Sequence, residues 1–320
     1  LYEGIPAGQH VLTVDCHTDS GTTEVTLGNG RMTNIASVIA YDPVGTGLIN
    51  AASDEGLPDV DVSTSYSVIP GISVPVTATG GPVRISWAVP LSGGSHSSCR
   101  PRLGNTVAGA FDGDTVGYIW SEGLAISSDQ WNMHNRTRIY IGVPAGTYTA
   151  TLECVTDGGT VNVGNSRMGP ALSVTTYPTS GGGVSVVRAK KIGGQSVTAN
   201  AVWTAVSGLS TSLTTTGGPV EIGVSIPLDG GSHAACRPTL NGNAIASPVD
   251  DFTYIWHDGL VRSNDGWAMW DRVRVYPNIA AGTYTLGVQC TADAPATLNM
   301  GVGTVNNGGT STVWAIAYDP

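Results

Sequence analysis

The sequence predicts an all-β protein, a bead-on-string series of antiparallel β-sandwich domains of jelly-roll type. Three observations predict it. Apolar and polar residues alternate along short runs such as VRISWAV and TYTATLEC. A domain-sized segment is written twice in full and once in part. No long amphipathic helical pattern interrupts these runs.

Composition agrees. Only 12% of the 320 residues are charged, Gly reaches 44, and Thr, Ser and Val are abundant. This mix suits half-buried strands joined by glycine turns. A hydrophobic content of 41% with so little charge argues against disorder. A net charge of −10 with 14 basic residues leaves no electrostatic footprint for nucleic acid. Lys190-Lys191 is the one basic doublet of note and reads as a solvated turn. No apolar run approaches the ~18–20 residues of a membrane span, so membrane insertion is not expected. The opening LYEGIPAGQH has neither a signal-peptide nor a transit-peptide pattern and lacks an initiator Met.

The repeat sets the domain frame. TGGPVRISWAVPLSGGSHSSCRP (Thr79 to Pro101) returns as TGGPVEIGVSIPLDGGSHAACRP (Thr216 to Pro238). YIWSEGLAISSDQWNMHNR (Tyr118 to Arg136) returns as YIWHDGLVRSNDGWAMWDR (Tyr254 to Arg272), and PAGTYTATLECVTD (Pro144 to Asp157) as AAGTYTLGVQCTAD (Ala280 to Asp293). The offset of about 136 residues is a whole domain, too long for a solenoid unit. PAGQHVLTVDCHTD (Pro6 to Asp19) matches only the last third, and each copy closes on a Tyr followed at once or after one residue by Pro. The expected domains are 1–43, the C-terminal part of a truncated repeat, then 44–178 and 179–320, both complete. Linkers are expected over Pro43 to Val60 and Thr179 to Val187, unless these feed the first strand of the next domain. Each unit holds roughly eight short strands, as a jelly roll does.

The five cysteines fit this frame. Cys99 and Cys236 are equivalent, as are Cys16, Cys154 and Cys290. The expected disulfides are Cys99–Cys154 and Cys236–Cys290, with the partner of Cys16 upstream of Leu1. Such bonds belong to an oxidising compartment. Apposed buried thiols are the alternative. Two Cys and one nearby His per unit, without C-x-x-C, fall short of zinc spacing, so no metal is expected.

Catalytic patterns are sparse. There is no G-x-S-x-G, H-E-x-x-H, Walker A or dinucleotide fingerprint, and neither enzyme activity nor a cofactor is expected. His96 and His233 recur beside cysteines and read as loop residues covering the disulfide region. Glu122 recurs as Asp258, and Asp129 as Asp265. These acids could line a cleft, in which case a glycan-degrading enzyme is the lesser alternative, but they read as turn formers. FDGDTVG (Phe111 to Gly117) resembles a calcium loop only superficially. Asn135-Arg136-Thr137 is a glycosylation sequon. Arg136 and Arg272 recur and suit a partner acid or an aromatic-lined loop.

The tryptophans are the candidate contact residues. Trp120 recurs as Trp256 and Trp131 as Trp267, while Trp270 stands where the middle unit has His134. Trp on sandwich loops can stack on sugar rings or anchor an interface. The recurrent ones also fit core packing. Trp270, not dictated by the repeat, is the better surface candidate.

The run from Trp203 to Val220 (W-x-x-x-S-G-L-S-x-S-L-T-T-T-G-G-P-V), followed by A-G-T-Y-T-L-x-V-x-C at Ala281 to Cys290, resembles jelly-roll repeats of tailed-bacteriophage minor tail, fibre and head-decoration proteins. Some bacterial surface proteins share the pattern. The resemblance covers both full units and the partial one, and its motifs fix no functional residue. It implies a non-enzymatic extracellular protein on a virion surface that contacts other virion or surface subunits and host glycans. A secreted or cell-surface adhesin or filament subunit is the alternative, and the paired cysteines favour it equally. Jelly rolls of this kind can form homotrimers, though no coiled coil enforces that here.

Overall fold

A computed structural model describes residues 5–6, 8–16, 38–39, 50–56, 58–93, 97–113, 131–156, 158–164, 169–179, 183–199, 202–229, 233–245, 255–256, 268–292, 296–300 and 310–319. Strands arise where β-branched and apolar residues alternate, and both complete units fold the same way. The first comprises β1 (Asn50–Glu55), β2 (Val60–Val62), β3 (Ser67–Ala78), β4 (Val83–Gly93), β5 (Ser97–Leu103), β6 (Thr106–Val107), β7 (Trp131–Tyr140), β8 (Gly146–Thr156), β9 (Val161–Val163) and β10 (Ala171–Thr176). The second comprises β11 (Val184–Lys191), β12 (Gln195–Ala199), β13 (Thr204–Thr215), β14 (Gly218–Asp229), β15 (His233–Leu240), β16 (Asn243–Ala244), β17 (Ile255–Trp256), β18 (Ala268–Ile279), β19 (Gly282–Ala292), β20 (Ala296–Met300) and β21 (Ser311–Tyr318). The linker segments thus do feed first strands, β1 and β11.

Register makes each unit a jelly roll. On one side of β4 lies β7; on the other β10 pairs with Val83–Ala88 and β9 with Leu91–Gly93, end to end. β1 and β2 then border β10 and β9. The facing sheet runs β3-β8-β5-β6. The chain therefore alternates between two antiparallel sheets of four columns, the arrangement of two Greek keys. The second unit repeats it, with β18, β14, β21 plus β20, and β11 plus β12 in one sheet. Its other sheet is β13-β19-β15-β16, with β17 pairing β15.

Alternation buries one face of each strand. On β4 the side chains of Val83, Ile85, Trp87, Val89 and Leu91 enter the first core, and on β14 those of Val220, Ile222, Val224, Ile226 and Leu228 enter the second. Both long first strands of the second sheets carry the same irregularity. The register of β3 on β8 shifts between Val68 and Ser73, and that of β13 on β19 between Ala205 and Ser210. Gly71 and Gly208 lie inside those shifts with φ of 76° and 75°, a conformation that glycine adopts without cost.

Several repeated motifs now have physical reasons. In A-G-T-Y-T the tyrosine hydroxyl reaches back four residues: Tyr148 donates to the Pro144 carbonyl and Tyr284 to the Ala280 carbonyl, both at 2.9 Å. In C-R-P the cysteine points inward and the arginine outward. Cys99 stands directly opposite Cys154, and Cys236 opposite Cys290, with disulfides joining adjacent strands at Cα separations of 4.1 and 4.0 Å. Arg100 lies over the Tyr66 ring and binds Glu153 at 2.6 Å, and Arg237 lies over the Trp203 ring and donates to Gln289. Cys16 is free and exposed.

Each disulfide closes a loop of about 55 residues, which the chain-entropy model values at about 4 kcal/mol. The double variant Cys99→Ala/Cys154→Ala is expected to lower unfolding free energy by roughly that amount in urea titration. Cys16→Ala is expected to leave the midpoint unchanged.

Candidate functional site: the junction between the two sandwiches

The two units have separate cores, and they also touch. Among the described residues β7 is an edge strand, bonded within its sheet to β4. Its free edge lies against the outer face of the β14-bearing sheet. That face is built from the alternate residues Glu221, Gly223 and Ser225 of β14 with Thr312, Trp314 and Ile316 of β21. The side chains of Glu221, Ser225, Thr312, Trp314 and Ile316 are buried although they point away from their own core. Unpaired strand edges are templates for aggregation, and covering one with another element removes the hazard.

Polar contacts hold the junction. The Asp271 carboxylate, on β18, accepts hydrogen bonds from the Thr137 backbone N–H of the β7 edge and from the Ser225 side chain, beside Arg136 and Arg138. Arg138 donates from Nη1 to the Thr310 carbonyl at 3.1 Å and to Thr312 Oγ1 at 2.9 Å. Arg84 binds Glu221 at 2.7 Å, and the Tyr318 hydroxyl donates to the same carboxylate at 3.1 Å. At the periphery Asp112 pairs with Arg188, and Lys190 donates to the Asp112 carbonyl. Lys190-Lys191 is therefore not a turn: both residues belong to β11, and Lys190 reaches across to the first unit.

An apolar patch backs these contacts: Ile139 and Tyr177 from the first unit with Trp314, Ile316 and Tyr318 from the second. Trp314 lies flat on its own sheet because position 223 is Gly. A Cβ there would stand 2.1 Å from the indole. The Arg84 guanidinium covers the other side of the ring, 5.7 Å from its centroid.

Burial sets the charge states. His134 is buried between Trp87 and Arg136, and its Nε2 accepts from Arg136 Nε at 3.0 Å. Burial first, then Arg136 and Arg138, hold its pKa well below 6.5, so the ring is neutral. Burial pushes the Asp271 carboxyl up, opposed by Arg136, Arg138 and its two hydrogen bonds. Burial likewise raises Glu221, opposed by Arg84 and Tyr318. Beside the junction a cleft of about 200 Å³ is lined by Ser53, Glu55, Trp87, Asn135, Leu172 and Asp271, among others.

The structure separates the sequence-picked residues. Trp270 is not on the surface: it is 3% exposed in the second core, opposite Ile226, with Arg272 over its ring. Alternation along β18 turns it inward, as it turns His134 inward on β7. Trp131 opens β7 and is half-buried. Trp256 lies in β17, its backbone opposite His233. Trp120, Trp267, His96, Glu122, Asp129, Asp258 and Asp265 lie outside the described residues. Arg136 does meet an acid, Asp271, but one from the other unit. The residues that sequence reasoning missed are Asp271, Arg138, Glu221 and Gly223. For Asp271, Glu221 and Gly223 the signal was a departure from the repeat, since the first unit has Asn135, Arg84 and Ser86 there; Arg138 recurs as Arg274 and carried none.

The fold and junction define an all-β tandem jelly-roll protein. No family model and no curated protein matches the sequence. Among solved structures the chain is similar to PNGF-II, at 9% identity and a TM-score of 0.31, over 84% of this chain and 66% of that one. It is also similar to a chain of the T13 particle of infectious bursal disease virus (IBDV), at 9% identity, TM-score 0.25, over 86% and 76%. A third is the CBM22-1-CBM22-2 tandem domain of Paenibacillus barcinonensis Xyn10C, at 10% identity, TM-score 0.18, over 85% and 94%. At such scores the likeness decides nothing about function. Among the described residues no group of three or more His, Cys, Asp or Glu side chains could hold a metal, and no helix could cross a membrane.

Removing one partner of a buried ion pair costs about 3–5 kcal/mol. Asp271→Ala is expected to destabilise by that order in urea titration, mostly through loss of the junction. His134 adds a pH dependence. Unfolded, it takes up a proton near 6.5; folded, it does not, so its contribution is complete above that value and falls as pH drops below it. The raised carboxyls act with the opposite sign, so the test compares variants: His134→Gln is expected to lose less stability than the parent between pH 7.5 and pH 5.

Proposed function

We propose that the chain is a segment of a non-enzymatic virion structural or adhesion protein, of minor-tail, fibre or decoration type, in which successive jelly rolls are fixed edge-on-face into a stiff rod. The observation that supports this most is the junction itself. Buried arginines, carboxylates and Trp314 are spent on holding one domain against the next, which is of use to a protein whose task is to keep its domains in line. The core disulfides suit a life outside the reducing cytoplasm. Partners on this reading are other virion or surface subunits, and host glycans contacting the tryptophans Trp120, Trp131, Trp256 and Trp267. The paired disulfides give equal support to a secreted or cell-surface filament subunit.

Gold-labelled antibody against the chain is expected to decorate the surface of purified particles. Label confined to cell envelopes would select the cell-surface reading, and turnover of polysaccharide by the purified chain would contradict both. On a glycan array, Trp131→Ala is expected to weaken any retained glycan at least tenfold, as loss of one stacking ring does.

A further inference from the structure

The partial repeat at the start of the chain carries one segment that matches a strand of the complete units, and its partner can be specified residue by residue. Residues 8–16 correspond in sequence to Gly146–Cys154 of β8 and Gly282–Cys290 of β19. His10 Nε2 lies 2.8 Å from the Pro6 carbonyl, the same four-residue contact that Tyr148 and Tyr284 make in the complete units. The local conformation that starts the strand is thus present without its sheet. Leu12, Val14 and Cys16 stand where the complete units have Ala150, Leu152 and Cys154, or Leu286, Val288 and Cys290. All six of those are buried, yet Leu12 is 52% and Val14 68% exposed, and Cys16 is exposed too. The residues that are buried in both complete units are here open to solvent.

The siblings show what covers such a face. Beside both β8 and β19 runs a C-R-P strand, its cysteine opposite the strand's cysteine and its arginine on the neighbouring acidic or amide side chain, Glu153 or Gln289. Asp15 holds that neighbouring position here. We propose that residues 8–16 are a docking segment for a third C-R-P strand, which pairs antiparallel with it, covers Leu12 and Val14, sets its arginine on Asp15 and closes a disulfide with Cys16. That strand comes from polypeptide outside these 320 residues, because Cys99 and Cys236 are already bonded. In closing the bond two thiols lose their protons and two electrons to a disulfide oxidant such as glutathione disulfide, which leaves as two thiols.

The test incubates the intact chain with a synthetic peptide of the Gly93–Leu103 sequence in a glutathione redox buffer, followed by non-reducing peptide mapping. The expected result is a Cys16–peptide disulfide at least tenfold more abundant than with a scrambled peptide of the same composition, with both native disulfides intact. Val14→Lys, at an exposed site and so neutral to folding, is expected to bring capture down to the scrambled level. Equal capture of the scrambled peptide, indifference to Val14→Lys, or peptide found on a native disulfide would each overturn the proposal.

Discussion

The structure turns on how one strand edge is covered. Among the described residues β7 lies at the edge of its sheet, and Asp271 of the following domain accepts the Thr137 N–H from it. A carboxylate buried for this purpose needs compensation, which Arg136, Arg138 and Ser225 supply. Those arginines in turn need their own acceptors, and Thr310 and Thr312 provide them for Arg138. His134 must stay neutral to accept from Arg136. Each requirement follows from the one before, so the junction behaves as a single polar network whose parts are worth little apart.

The same constraint explains why two near-identical repeats differ where they do. The second unit carries Gly223 and Trp314 on its outer face because it receives an edge; the first carries Ser86 and Ser173 at the matching places. On the donor side the arginines recur as Arg272 and Arg274. Arg136 and Arg138 are buried under the next domain, whereas Arg272 is exposed. Repetition preserved the strand, and position in the row decided which of its faces became an interface.

The fold was legible in the sequence because its signals are local. Period-2 runs gave the strands, glycine turns their ends, and the repeat paired Cys99 with Cys154 before any geometry was known. Trp270 and the junction were not legible for a shared reason. Whether a residue on β18 points into its own core, or onto a neighbouring domain, depends on register against β14 and on where the next domain sits, and neither is written locally. The departures at Asp271, Glu221 and Gly223 were visible as letters. Their meaning needed the edge of β7 beside them.

The central claim is that the two sandwiches form one stiff body through this network, and small-angle X-ray scattering of the whole chain tests it most directly. The parent profile is expected to fit a single arrangement of the two sandwiches, and Asp271→Arg, which sets a third cation beside Arg136 and Arg138, is expected to broaden it to a flexible two-body ensemble while each domain stays folded. A parent profile already that of two freely tumbling beads, unchanged by Asp271→Arg, would contradict it.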